Sequence, residues 1–119
     1  MPAWNIRPKQ LAQARENSTN AVSIYVPPVG IIYAEIGLIL ICNTSGTEAL
    51  VRLFLDDDGT TYSEATALLW DVPIPGGDVL ELNYELYMAN LSGHLAYRSS
   101  VANALTITVF GNEVLRSTV

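Results

Sequence analysis

The segment Ile31–Asn43, IIYAEIGLILICN, decides the fold class of this chain of 119 residues. Its even positions are all apolar: Ile32, Ala34, Ile36, Leu38, Leu40 and Cys42. The odd positions include Tyr33, Glu35 and Gly37, so the other face is partly solvated. Alternation with a period of two is typical of a β-strand that buries one side. The segment therefore predicts a long strand with the even positions turned inward.

The rest of the chain repeats this pattern on both sides of that segment. The apolar runs VSIYV, ALVRLFLD, ATALLWDVPI, VLELNY and ALTITVFGNEV are separated by turn signals such as NTSG and PGGD. No helical period is sustained between them. Seven or eight short strands of this kind predict an all-β fold, an antiparallel β-sandwich of jelly-roll type, with a closed barrel as the alternative.

The apolar content of the chain is high for a small monomer. Hydrophobic residues make up 50% and charged residues 15%, and no apolar run approaches the roughly 20 residues that cross a bilayer. A folded monomer has to cover itself largely with polar surface. We therefore expect a homo-oligomer and no membrane partner. We assign residues 21–119 to the sandwich domain and residues 1–20 to an N-terminal arm, which is helical or extended.

Charge is distributed unevenly between these two parts. Arg7, Lys9 and Arg15 precede every acidic residue, so the first fifteen residues carry three positive charges although the net charge is −6. The acidic body repels nucleic acid, whereas a basic segment can contact an acidic neighbour, including another copy of the chain. A solvated terminus is the simpler alternative.

A second group of residues predicts an apolar contact patch. Ile39 and Ile41 break the alternation in the long strand, which predicts that this end is covered on both sides. Phe54 falls on the outward face of the strand ALVRLFLD, with Arg52. Exposed apolar residues that cluster mark contact surfaces. The predicted interface thus comprises Arg7, Lys9, Arg15, Ile39, Ile41 and Phe54.

The acidic stretch Asp56-Asp57-Asp58-Gly59 follows an apolar strand directly. A calcium loop of the EF-hand type spaces its carboxylates alternately, so that they converge on one ion. Consecutive aspartates in an extended chain point to opposite sides instead, and Asp-Gly is a strong turn signal. We interpret the stretch as a solvated turn and predict no metal site.

The sequence also gives little indication of a catalytic site. His94 is the only histidine and Cys42 the only cysteine, which leaves no multi-histidine or multi-cysteine metal centre within one chain. No nucleophile elbow, in which a serine has a glycine two residues before and two residues after it, and no phosphate-binding glycine loop occurs. We predict no catalytic residue and no cofactor. The N-terminus lacks the apolar core of a secretory signal, so we expect synthesis in a cytoplasm.

Four stretches together resemble a known class of proteins. VSIYVPPVG, AEIGLILICNTSGTEALVRLFL, ALLWDVPIPGGDVLELN and SSVANALTITVFGNEV resemble, in this order, the small β-sandwich structural proteins of tailed bacteriophage virions. The similarity lies in turn and core positions between Val22 and Val114. It implies a non-enzymatic virion component, such as a capsid decoration (cement) protein, which assembles as a homo-oligomer with a trimer favoured.

That resemblance also implies partners and leaves one rival function. The implied partners are the major capsid protein or other virion proteins, and the implied location is the phage particle. The rival is a tail-associated or fibre-associated module that binds a carbohydrate or receptor, with aromatic side chains lining a shallow groove. An enzyme becomes credible only if a cleft gathers His94 with at least two carboxylates.

Overall fold

The computed structural model describes residues 4–59, 61–89 and 92–116. These residues form eight strands and one short 3₁₀ turn at Glu64–Thr66. The strands are β1 (Trp4–Arg15), β2 (Val22–Tyr25), β3 (Ile31–Asn43), β4 (Ala49–Asp56), β5 (Ala67–Ile74), β6 (Val79–Met88), β7 (His94–Ser99) and β8 (Leu105–Arg116). No helix in the described part of the chain is long and apolar enough to span a membrane.

The strands form two antiparallel sheets of four. The first sheet has the order β1-β8-β3-β6 and the second sheet the order β2-β7-β4-β5. Each strand of the first half of the chain pairs with one of the second half: β1 with β8, β2 with β7, β3 with β6 and β4 with β5. This is the topology of a jelly roll, in which a long hairpin wraps into two layers. The predicted antiparallel sandwich is confirmed.

The core lies between the two sheets and is built almost entirely from β-branched and aliphatic side chains. Its largest members with almost no exposure are Ile36, Ile39, Ile41, Leu53, Ile74, Leu95, Tyr97, Leu105, Ile107 and Val109. The predicted alternation in the last two long strands is observed: Leu80 and Leu82 pack against the core, and Ile107 and Val109 lie within it. Burial of this cluster is the main stabilising contribution to the fold.

A buried asparagine organises one end of the sandwich. Asn43 is fully buried, and its side-chain nitrogen donates hydrogen bonds of 2.8 Å to the carbonyls of Thr47 and Ile74. Its side-chain oxygen accepts from the backbone nitrogen of Ser45 at 3.0 Å. A buried amide with satisfied donors and acceptor fixes local geometry. The NTSG connection is therefore a pinned loop joined to the end of β5. It leads from β3 in the first sheet to β4 in the second sheet, so the hairpin expected at this point is wrong.

The predicted N-terminal arm is extended, which is one of its two predicted states, but it is not separate from the sandwich. Residues 4–15 form β1, which pairs with β8 from Trp4 opposite Arg116 to Arg15 opposite Thr106. The segment is thus the edge strand of the first sheet. Its backbone groups form hydrogen bonds with β8, whereas in a free arm they would bond to water. Residues 1–3 of the arm lie outside the described residues.

A bulge in β3 reverses the face predicted for half of that strand. The pairing of β3 with both of its neighbours shifts between Ile36 and Leu38, around Gly37. An extra residue moves every following side chain to the other face. Ala34 and Ile36 point inward as predicted, but beyond the bulge the inward positions are Ile39 and Ile41.

Candidate assembly surface

The three predicted basic residues all lie on β1, at one edge of the first sheet. Arg7, Lys9 and Arg15 are exposed, and β1 contains no acidic residue. The guanidinium of Arg15 donates to the carbonyl of Asn103 at 3.1 Å, which orients its side chain. We call these three residues the basic edge. The basic half of the predicted interface thus lies along one edge strand.

One basic residue is tied into the body of the sandwich. The ammonium of Lys9 lies 3.2 Å from a carboxylate oxygen of Glu113, whose residue is only 6% exposed. The hydroxyl of Tyr25 donates to the other oxygen of that carboxylate at 2.7 Å. Burial, together with this hydrogen bond, raises the pKa of Tyr25 far above its ordinary value. The buried carboxylate is therefore paired and hydrogen-bonded, as burial of a charge requires.

The opposite edge of the first sheet, strand β6, is acidic. Glu81 and Glu85 are exposed, and β6 contains no lysine or arginine. We call these two residues the acidic edge. Tyr87 on the same strand is 57% exposed, and the nearby carboxylates of Glu85 and Glu35 raise its pKa. This field of negative charge was not recognised from the sequence, where the acids are scattered among apolar residues.

The apolar half of the predicted interface is not at the surface. Ile39 and Ile41 are fully buried in the core, because the bulge at Gly37 turns them inward. Phe54 does lie on the outward side of the second sheet, but it is only 1% exposed. These three residues therefore cannot form an exposed patch, and that part of the prediction is wrong.

Phe54 is covered by aromatic neighbours from outside its own strand. The ring of Tyr62 lies 6.0 Å away, and the ring of Trp70 meets it edge-on at 6.3 Å. Such tilted and edge-on pairs are favourable arrangements of aromatic rings. The segment that follows β4 thus folds back over the strand that precedes it and encloses the phenylalanine.

The same side of the second sheet carries a two-point ion pair. Arg52 donates to the two carboxylate oxygens of Asp71 at 2.7 and 3.0 Å, and its guanidinium lies 3.6 Å from the ring centre of Trp70. The pairing raises the pKa of Arg52 and lowers that of Asp71. Asp71 has a positive φ of 53°, a conformation that is uncommon for a residue with a side chain. The bidentate contact holds it there.

A different apolar strip is exposed on the outer side of the first sheet. Because of the bulge, Leu38, Leu40 and Cys42 turn away from the core, and Leu38 lies opposite Phe110 of β8. These four residues, the outer strip, are partly exposed and do not belong to the core cluster. The one signal for this arrangement in the sequence is a glycine within a strand pattern, which marks a bulge.

The aspartate stretch forms a turn whose first carboxylate is folded inward. Asp56 is 5% exposed, and its side chain accepts from the backbone nitrogens of Asp58 at 3.4 Å and Thr61 at 2.8 Å. Gly59 has a φ of +81°, and the ring of His94 lies against it so closely that a Cβ would meet the ring at 2.7 Å. The predicted turn is observed, but Asp56 is not solvated as expected. Residues 4–59, 61–89 and 92–116 hold no cluster of three potential metal ligands.

His94 has a structural contact on the neighbouring edge strand. Its Nδ1 lies 2.6 Å from the hydroxyl oxygen of Ser23, and its ring is 6.4 Å from that of Tyr62. A cleft of about 300 Å³ opens nearby, lined by Leu55, Asp56, Tyr87 and Met88 among others. Its lining includes no histidine within the described residues.

Comparisons with known proteins give structural matches alone. No protein-family model matches the sequence, and no curated protein matches it. The T13 viral particle of infectious bursal disease virus is similar over 97% of this chain and 31% of that chain, with 11% identity and a TM-score of 0.52. The VP2 subviral particle of the same virus is similar over 97% of this chain and 32% of that one, with 12% identity and a TM-score of 0.51.

A third solved structure is similar at a lower TM-score. The coat protein dimer of tobacco streak virus is similar over 98% of this chain and 86% of that chain, with 7% identity and a TM-score of 0.47. The chain spans 31% and 32% of the two infectious bursal disease virus chains. At such low identity the similarity shows the fold alone. The fold of this chain is one that occurs in viral capsid proteins.

Proposed function

We propose that this chain is a non-enzymatic structural protein of a bacteriophage particle, most specifically a capsid decoration protein that oligomerises and stabilises the head. The observation that carries the proposal is the jelly-roll sandwich, whose similarity to virus particle structures extends over 97% of the chain. The order of strands and turns that resembles small phage virion proteins supports the same assignment.

The physical properties of the sandwich suit such a role. Two sheets packed through a continuous aliphatic core form a rigid block. Charged edges and a partly exposed apolar strip remain on its surface for contacts with other molecules. We propose a homo-oligomer, with a trimer favoured because local three-fold points recur in capsids and closed symmetry suits identical subunits. Its location is the virion, after synthesis in the bacterial cytoplasm.

We assign the outer strip to contact with the major capsid protein or another virion protein. Leu38, Leu40 and Phe110 present apolar side chains in the middle of a sheet face, where neighbouring polar residues frame them. Burial of apolar area contributes about 25 cal/mol per Å², before the entropic costs of association. Many copies that each bind weakly can together strengthen a shell.

The proposal is tested with particles of the virus that encodes the chain. Particles purified on a density gradient should contain the chain in many copies, and particles made without it should assemble but lose their genome at a lower temperature. A Leu40→Gln variant should bind such depleted particles less well, and Thr19→Gln, an exposed position outside the strands, is the matched control. Absence of the chain from purified particles would contradict the proposal.

A receptor-binding tail module is the second candidate, and the cleft beside the aspartate turn favours it. Tyr87 and Met88 line one side of this cleft, and Tyr33 meets the exposed ring of Tyr87 edge-on at 6.0 Å. Exposed aromatic rings beside carboxylates are typical of carbohydrate sites. A glycan array with wild-type protein and a Tyr87→Ala variant distinguishes the two functions. Saturable glycan binding that the variant loses would favour the tail module.

A further inference from the structure

The two free edges of the first sheet carry opposite charge. The basic edge on β1 holds three of the six basic residues of the chain, without any acid on that strand. The acidic edge on β6 holds Glu81 and Glu85, without any base on that strand. The strands occupy opposite ends of the order β1-β8-β3-β6. The sheet is therefore polarised from one side to the other.

Exposed apolar side chains occur on the same two edges. Ile6 of β1 is 63% exposed, and Val79 and Tyr87 of β6 are 51% and 57% exposed. Large apolar residues are usually withdrawn from an edge strand, because a free edge invites unwanted pairing. Apolar residues that are framed by charged ones are typical of contacts between proteins. Each edge thus combines an apolar element with charges of one sign.

The strand directions and the register allow the basic edge of one copy to lie antiparallel to the acidic edge of another. Since every pair in the sheet is antiparallel, β1 and β6 run in opposite directions. One row across the sheet reads Gln13, Thr108, Leu40 and Glu81. A second copy can be placed beside the first so that the rows of one sheet continue into those of the other, an arrangement that we call the level placement. Gln13 of one copy then comes next to Glu81 of the other. Arg15 then lies two residues further along the same strand face.

The other end of the contact is matched as well. A second row reads Pro8, Asn112, Glu35 and Tyr87. The same level placement brings Pro8 beside Tyr87 of the neighbouring copy, with Ile6 two residues away on the same face. The level placement thus puts Arg15 beside Val79 and diagonal to Glu81 at one end, and it puts Pro8 beside Tyr87 at the other end. Complementarity of both kinds in one placement suppresses alternative placements.

We propose that the basic edge of one copy binds the acidic edge of the next copy, and that repetition of this contact closes a ring. The inference rests on the proposed function in naming a second copy as the partner of these edges. The contact is heterologous, because two different surfaces meet, and heterologous contacts generate rings when the rotation closes. Contact of two basic edges would bring like charges together, which disfavours a two-fold pair at this edge.

Side chains, and not a continuous backbone ladder, carry the contact. Pro8 lacks a backbone N–H, and Lys9 and Arg7 flank it on the edge strand. Proline and lysine on an edge strand oppose the addition of further strands. The level placement therefore joins copies through charge pairs and the small apolar contact of Pro8 with Tyr87. Pro8, Lys9 and Arg7 therefore also oppose the addition of strand after strand to this edge of the sheet.

The test uses charge reversal and sedimentation velocity on the full chain. We expect Glu81→Lys to weaken self-association about tenfold, whereas Glu48→Lys, the same charge change at an exposed position in the loop between β3 and β4, leaves it unchanged. Arg7→Glu with Arg15→Glu should have the same effect as Glu81→Lys with Glu85→Lys. The chain with all four changes should associate again, because both edges have then exchanged sign.

Ionic strength gives an independent measurement. Self-association of the wild-type chain should weaken from about 0.05 M to about 0.5 M salt, because screening shortens the range of surface charge interactions. Reversal variants that keep the wild-type mass distribution would overturn the edge contact. The wild-type oligomer could instead respond to the charge reversals as expected and yet be absent from virus particles. That result would contradict the proposed function but not the edge contact.

Discussion

The hydroxyl of Tyr25 donates a 2.7 Å hydrogen bond to the carboxylate of Glu113 and so connects the two sheets of the sandwich. Tyr25 ends β2 of the second sheet, and Glu113 lies on β8 of the first sheet. Lys9 of β1 reaches the same carboxylate at 3.2 Å. One buried acid thus holds an edge strand, a central strand and the opposite sheet in a fixed arrangement.

Tyr25→Phe should destabilise the protein by about 1.5–3 kcal/mol, because a hydrogen bond to a charged group is removed and the carboxylate stays buried. The measurement is urea denaturation followed by circular dichroism. Tyr87→Phe is the matched control, since that hydroxyl belongs to an exposed residue and its removal should change the stability by less than about 0.5 kcal/mol. Equal losses for the two variants would contradict the role of Glu113 as a connector.

The raised pKa of Tyr25 predicts a loss of stability in alkali. Its folded-state pKa lies above the unfolded value of 10.0, so its contribution to stability is fully present below pH 10 and is lost as pH rises further. Burial also raises the pKa of Tyr84 and Tyr97, which act in the same direction. The free energy of unfolding should fall above pH 10 in the wild-type chain and fall less steeply in Tyr25→Phe. Parallel curves would rule out this linkage.

The bulge at Gly37 predicts a specific contrast between adjacent residues of β3. Ile41→Ala should cost about 2–5 kcal/mol, because it leaves a cavity in the core. Leu40→Ala should cost about 1 kcal/mol or less, since that side chain is partly exposed on the outer face. Thermal and chemical denaturation of the two variants gives the comparison. The reverse order would show that the even positions face inward throughout the strand.

The aspartate turn should depend on its first residue. Asp56→Ala should destabilise the protein by about 1–3 kcal/mol, because two backbone N–H groups in the turn lose their side-chain acceptor. Asp57→Ala, at an exposed neighbouring position, should have a smaller effect. Calcium should leave both midpoints unchanged if the stretch is a turn and not an ion site. A calcium-dependent rise in the wild-type midpoint would contradict this interpretation.

Local patterns were sufficient to predict the class of the fold. The alternation in β6 and β8 correctly predicted that four side chains point towards the core: Leu80, Leu82, Ile107 and Val109. No bulge interrupts either strand between these residues. The PGGD turn is observed between β5 and β6, where the nitrogen of Asp78 donates to the carbonyl of Pro75 at 3.1 Å. Such features depend on neighbours in sequence, which a single chain shows directly.

Features that depend on distant segments were missed. The inward turn of Ile39 and Ile41 requires the bulge to be located, and the burial of Phe54 requires Tyr62 and Trp70 to fold over it. The extended state of β1 depends on β8, which lies about a hundred residues away. The polarity of the first sheet follows in turn from the strand order, because β1 and β6 become opposite edges only in the completed fold.

The decisive experiment is a density map of the virus particle at side-chain resolution. We expect copies of this sandwich grouped in closed rings on the particle, with Arg15 of each copy close to the acidic edge of the next. If the oligomer is a trimer, these rings lie at three-fold positions. Sandwiches that stand singly on the particle, or a particle without this chain, would show that the chain does not act as a ring-forming decoration protein.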